Sequence, residues 1–286
     1  TSTSGPRNVL MLVLDGLRVE EISSTTASSL TGVPGDEFCP FFWQDVAVDG
    51  TMVRTIHNMG MTATGPAHVA LFTGRPEPYE NLALDNTIPS IYFPESPTLW
   101  STAAAAGMTA RFVGKAGLLF QTTQSLYPQP YLNEDYHITD GNTDQAVFQD
   151  LLDTVSTYQP RLLVANLHNI DTEGHKGPDG TYASTIQLTD QQLATFWKGL
   201  KQREPGWLAN TLVVVTTDHG RHREAVAILE KGRKAYNAKN YSRAEEYFRQ
   251  AVLADESYSK AHYYLGLALY KLSDSQGAVR AWTRAT

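Results

Sequence analysis

The 286-residue chain is 42% hydrophobic and 19% charged, an ordinary globular balance that excludes a disordered chain. Its net charge of −7 is uneven: residues 223–286 hold 11 Lys/Arg against 7 Asp/Glu, a net of +4, which leaves −11 on the first 222 residues. An acidic domain lacks the Lys and Arg that phosphate neutralisation needs, so no nucleic-acid-binding surface is expected, and with no run of 18 apolar residues no transmembrane segment is expected either.

Taken in order, the first strong signal is Asn8–Leu14, NVLMLVL, a continuous apolar run that ends in Asp15-Gly16. Runs apolar on both faces suit buried parallel strands. Cys39 is the only cysteine, so no intrachain disulfide can form, and it reads as a small buried apolar residue. The stretch Thr64-Gly65-Pro66-Ala67-His68 precedes a helical VALFTG, with Pro66 well placed for a first helical turn. Pro97–Ala106 reads as a helix, Ala110–Gly114 as a weaker strand and Asp144–Tyr158 as a second helix. Arg161–Leu167, RLLVANL, reads as a strand leading to His168 and Asp171. Ser184–Arg203 is the longest helical pattern, with Ile186, Leu193, Phe196 and Leu200 near helical spacing. Thr211–Val215 reads as a last strand, running into Thr216-Thr217-Asp218-His219-Gly220. Strands alternating with helices imply an α/β domain with a mostly parallel sheet flanked by helices.

After Arg221 the texture changes to Ala-rich, Leu/Tyr-rich helical sequence. Gly232, Tyr241, Ala244, Phe248 and Ala251 are matched 34 residues later by Gly266, Ser275, Ala278, Trp282 and Ala285. That spacing resembles tetratricopeptide (TPR) repeats, in which small residues let paired helices approach and aromatics fill the gap between them. The expected division is therefore residues 1–222 as one domain and 223–286 as a small all-α module of two TPR-like repeats. Such a module implies a possible protein or peptide partner. The chain starts Thr-Ser-Thr-Ser; this fits a trimmed chain or a mature end after signal cleavage, and favours a secreted or periplasmic setting.

In a parallel sheet, ligands bind beyond the carboxyl ends of the strands. Asp15, Asp171 and Asp218-His219 all fall there. Each is weak evidence alone: an Asp after a strand is commonly a helix cap, and a carboxylate and an imidazole four residues apart, as in Asp171 and His175, match by chance often. Thr64 alone reads first as a helix N-cap. At a helix mouth, however, backbone N–H groups favour an anion, and a hydroxyl there becomes a nucleophile once a metal lowers its pKa.

Together and in this order, VLDGLR, TATGPAHVALFTG, DTEGHKGPDG and VVVTTDHGR resemble the alkaline phosphatase superfamily, specifically its nucleotide pyrophosphatase/phosphodiesterase-like branch, over about residues 7–222. The resemblance implies an alkaline phosphatase-like fold and a phosphate-ester hydrolase with up to two Zn²⁺, acting on a small-molecule phosphate ester. It implies Thr64 as covalent nucleophile, Asp15, Thr64, Asp218 and His219 as ligands of one metal, and Asp171 and His175 as ligands of the other. Asn86 matches the residue that donates to the transferring phosphoryl oxygens. Sulfatases are disfavoured, because they need Cys or Ser in C/S-x-P-x-R where this chain has Thr64 and His68. Relatives carry a further histidine well after T-D-H-G. Here helical sequence begins almost at once, and His222 is the nearest replacement. The second metal site is therefore expected to be depleted. The alternative expectation is a relative with little turnover that serves as a TPR-bearing binding protein.

Overall fold

The computed structural model describes residues 5–27, 30–48, 50–53, 64–75, 97–115, 136–139, 143–176, 179–220, 223–254 and 258–285. The strands among the described residues are β1 (Asn8–Leu14), β2 (Ala110–Lys115), β3 (Tyr136–Thr139), β4 (Leu162–Leu167) and β5 (Thr211–Thr216). They form one sheet in the order β3-β2-β4-β1-β5, and every neighbouring pair is parallel. The central strands are apolar on both faces because both faces are covered. Leu10, Leu12 and Leu14 of β1 and Leu163, Ala165 and Leu167 of β4 point into one core; Val13, Phe112, Leu162 and Val164 point into the other. Leu10, Leu12 and Leu163 are fully buried or nearly so, and burial of this kind stabilises by roughly 1.5–3 kcal/mol per side chain.

Before and between the strands run α1 (Val19–Ser23), α2 (Gly35–Phe38), a π-helical turn at Phe42–Val46, α3 (Thr64–Thr73), α4 (Leu99–Ala105), α5 (Asp144–Tyr158), α6 (Asn169–Lys176), α7 (Asp179–Arg203) and α8 (Pro205–Leu208). Helices α5 and α7 cover one face through Phe148, Leu151, Phe196 and Leu200; α3 and α4 cover the other through Val69, Phe72 and Trp100. Helix α4 starts where Thr98 accepts from the Ser101 amide at 3.1 Å and the Thr98 amide donates to the Ser101 hydroxyl at 2.8 Å, a reciprocal cap that satisfies two donors. Helix α5 matches its sequence-based span to the residue. It is capped by Thr143 and closed by Gln159 in the left-handed region, φ 48°.

Helix α4 and strand β2 keep the expected type with bounds shifted by one or two residues, and helix α6 at Asn169–Lys176 was not anticipated. Two further departures have a local physical reason. Strand β3, YHIT, has four residues at the sheet edge, too short to show a periodicity. Helix α7 starts at Asp179, five residues before the Ser184 that the pattern indicated. The Asp-Gly-Thr opening looks like a loop. The helix is nevertheless anchored by Tyr182, which is wholly buried and donates its hydroxyl to the Gly16 carbonyl at 3.1 Å.

Beyond β5 come α9 (Arg223–Asn237), α10 (Tyr241–Ala254), α11 (Ser259–Lys271) and α12 (Ser275–Ala285). Among the described residues, their core, including Leu229, Ala244, Phe248, Leu265 and Ala278, draws only on this stretch. The 34-residue repeat has a physical counterpart. A methyl group on Gly232 would strike the Phe248 ring, and one on Gly266 would strike the Trp282 ring. Each glycine thus lets an aromatic of the next helix lie against its own backbone.

Candidate active site

Parallel pairing in register brings the carboxyl ends of β4, β1 and β5 side by side, with Leu14 opposite Leu167 and Val13 opposite Thr216. Asp15 continues β1, its amide donating to the Leu167 carbonyl at 2.9 Å. Asp218 and His219 follow β5, and Asp171 comes from α6, just after β4. Thr64 comes from the other layer, at the first position of α3. Sheet order and one helix start therefore assemble residues from positions 15 to 219.

His219 is the hub. Its Nε2 lies 3.3 Å from Thr64 Oγ1, 3.4 Å from Asp15 Oδ1 and 3.4 Å from Asp218 Oδ2. Its Nδ1 lies 2.9 Å from the Gly220 carbonyl. A carbonyl only accepts, so Nδ1 carries the proton and Nε2 offers its lone pair to the cluster, as second-shell partners commonly arrange. Asp218 Oδ1 accepts from the amides of His219 at 2.8 Å and Gly16 at 3.2 Å. Asp171 approaches from the open side, where its carboxylate and the ligand atoms of Asp15 and His219 all lie within 4.8 Å of one another. Gly16 makes that approach possible: it sits at φ +72°, and a Cβ there would lie 2.8 Å from Asp171 Cβ.

Burial is graded across the site. Asp15 is 2% exposed, Asp218 6% and His219 8%. His175, whose Nε2 lies 3.2 Å from Asp171 Oδ2, has a side chain 65% exposed. Burial raises the Asp15 carboxyl well above the usual carboxylate range, and the Asp218 and Asp171 charges add to that. Burial works the same way on Asp218, but the His219 and His68 rings beside it outweigh that effect and hold its carboxyl below the usual range. Two carboxylates so close, one held ionised and one resisting ionisation, form an environment that a cation would stabilise.

The sequence reading did not anticipate Asn166, fully buried on β4. Its amide donates to Asp15 Oδ2 at 3.3 Å and lies 2.9 Å from His68 Nε2. The available signal was a polar residue inside the apolar run RLLVANL, since buried polar groups seldom lack partners. The sequence-based candidates Thr64, Asp15, Asp218, His219 and Asp171 converge, with His175 at the rim. Asn86 and His222 lie outside the described residues.

A sequence model of the family described as type I phosphodiesterase / nucleotide pyrophosphatase matches residues 9–257. The chain belongs to the type I phosphodiesterase/nucleotide pyrophosphatase family. The match spans the whole strand series and runs on through α9 and α10. No curated protein matches the chain. This phosphodiesterase family is metal-dependent, and the residues present fit a cation. Asp15 Oδ1 is buried and accepts no hydrogen bond among the described residues. A tetrahedron of bonds about 2.0–2.1 Å long has edges of about 3.3–3.4 Å, and the three spacings around His219 Nε2 are 3.3, 3.4 and 3.4 Å. Carboxylate, imidazole and hydroxyl donors together suit zinc or another borderline cation.

Proposed function

We propose that this family member hydrolyses small-molecule phosphate esters, diesters foremost, through a covalent phospho-threonine on Thr64. The observation that carries the proposal is the placement of the Thr64 hydroxyl, 3.3 Å from His219 Nε2 and at the start of α3. There a phosphoryl group meets the first-turn N–H groups of the helix. Asp15, Thr64, Asp218 and His219 would hold one Zn²⁺, and Asp171 with His175 would contribute to a second, depleted site. Bound there, zinc lowers the pKa of the Thr64 hydroxyl and neutralises charge on the phosphoryl oxygens.

Thr64 Oγ1 attacks phosphorus and loses its proton to solvent. The bond from phosphorus to the leaving alkoxide breaks, and the alkoxide takes a proton from water. A water then attacks the same phosphorus, the phosphorus–Oγ1 bond breaks, and Thr64 recovers its proton. Asn86 donates to the non-bridging oxygens in this scheme. Thr64 is half-buried, so the nucleophile opens to substrate while the residues behind it exclude water.

The helices at 223–286 are read as two TPR-like repeats, a domain distinct from 1–222 that can engage a protein or peptide. The matched Gly232–Phe248 and Gly266–Trp282 contacts support this reading, as does a core confined to this stretch. The enzymatic proposal is tested with a bis-aryl phosphate in added zinc. The parent chain releases the aryl alcohol and Thr64→Ala does not; equal rates in the two proteins would reduce Thr64 to a helix cap.

A further inference from the structure

We propose that Asn166 is a positioning residue, which fixes the carboxylate plane of Asp15 and the tautomer of His68 and so links β1 to the helix that carries Thr64. The inference rests on the metal-site reading above and extends it to residues that touch neither metal nor substrate. Asn166 lies in the middle of the sheet at no solvent exposure, where β4 is otherwise apolar, LLVANL.

The direction of every hydrogen bond follows from one fact. An amide nitrogen only donates, and that of Asn166 faces Asp15 Oδ2 at 3.3 Å. That same nitrogen lies 2.9 Å from His68 Nε2, so Nε2 accepts and carries no proton. The proton of the ring is then on Nδ1, which lies 2.7 Å from the Thr64 carbonyl and 3.3 Å from Asp218 Oδ2. One buried amide thus spends both its hydrogens on the site, one orienting Asp15 and the other orienting the ring that holds the Thr64 backbone. Its own carbonyl oxygen accepts no hydrogen bond among the described residues. An asparagine there is poor for the fold and good for the site: leucine has nearly the same shape and would suit the apolar strand better.

Outer partners of this kind typically change metal affinity by 10–100-fold when removed. The test has two arms, both on the full chain. In the first, long-range ¹H–¹⁵N spectra of metal-free, ¹⁵N-histidine-labelled protein report which nitrogen of His68 bears the proton, with a His68→Gln sample assigning the signals. The proton is expected on Nδ1; a proton on Nε2, or on both nitrogens, overturns the proposal without any Asn166 variant having to fold. In the second, calorimetric zinc titration compares the parent with Asn166→Leu. The variant is expected to keep its thermal midpoint within a few degrees, to lose the Nδ1 tautomer signature and to bind zinc about 10–100-fold more weakly. Parent-like zinc affinity in the leucine variant overturns the positioning role. If the parent itself binds no zinc, the metal reading fails instead, while an Nδ1 proton that shifts on Asn166→Leu still supports the hydrogen-bond chain.

Discussion

The two sides of the site differ in how much of their geometry exists before any ligand arrives. On the deep side, Asp15, His68, Asn166, Asp218 and His219 are all buried, and each is held by named donors or acceptors from β1, β4, α3 or the turn after β5. On the rim, Asp171 is only part-buried and His175, 3.2 Å from it, has a side chain 65% exposed. Charges fixed in advance cost nothing to reorganise when a ligand binds, whereas exposed ion pairs contribute little and are screened by salt. The difference teaches that the deep side defines the site and the rim adjusts it.

The comparison is broken most severely at the point where the deep side meets substrate. Thr64→Ala is expected to lower turnover by about 10³-fold or more, as nucleophile removal generally does, with far-ultraviolet circular dichroism unchanged. A loss under tenfold would show that the deep side does not supply the nucleophile.

Asp15→Asn separates function from stability. The folded Asp15 carboxyl is raised by burial first and then by Asp218 and Asp171. A raised folded pKa gives stability that is present below the unfolded value of about 3.9 and lost as pH rises through the folded value. The variant should therefore bind no zinc in a calorimetric titration. In metal-free form at neutral pH it should melt a few degrees above the parent, and the gap should close at about pH 4. A variant less stable than the parent at neutral pH would contradict the assignment of Asp15 as a cation-seeking carboxylate.

Gly16→Ala tests the joint between the two sides. At φ +72° and with Asp171 in the way, alanine is strained whatever rearrangement follows, which amounts to about 1–2 kcal/mol. Denaturant titration should show that loss, and activity should fall further than stability because Asp171 is pushed off the cluster. The smallest effect is expected at the rim: His175→Ala should change turnover less than tenfold at saturating zinc. A collapse of activity there would move the centre of the site to the exposed side.

Much of this was legible in the sequence, for identifiable reasons. Strands β1 and β4 are apolar on both faces, as a covered parallel sheet requires, the edge strand β5 is apolar though only partly buried, and Asp15, Asp171 and Asp218-His219 stand at their carboxyl ends. Helix α5 announces itself with Thr143-Asp144 and a periodic apolar face. The start of α7 was hidden because Asp179-Gly180 reads as a turn, and only the tertiary burial of Tyr182 overrides it. The gradient from deep to rim was not legible at all, since exposure at residue 175 depends on the tertiary packing of α6, which sequence spacing does not encode. Asn166 was visible as a polar residue in an apolar run, but its partners His68 and Asp15 lie 98 and 151 positions away. His68 was noted only as a motif residue that argued against a sulfatase.

The central claim is that the deep side holds a cation by itself. Metal analysis of extensively dialysed protein tests it most directly. The account predicts close to one tightly held equivalent of zinc per chain, with a second taken up only weakly when zinc is added; no retained metal, or two equivalents held equally tightly, would contradict it.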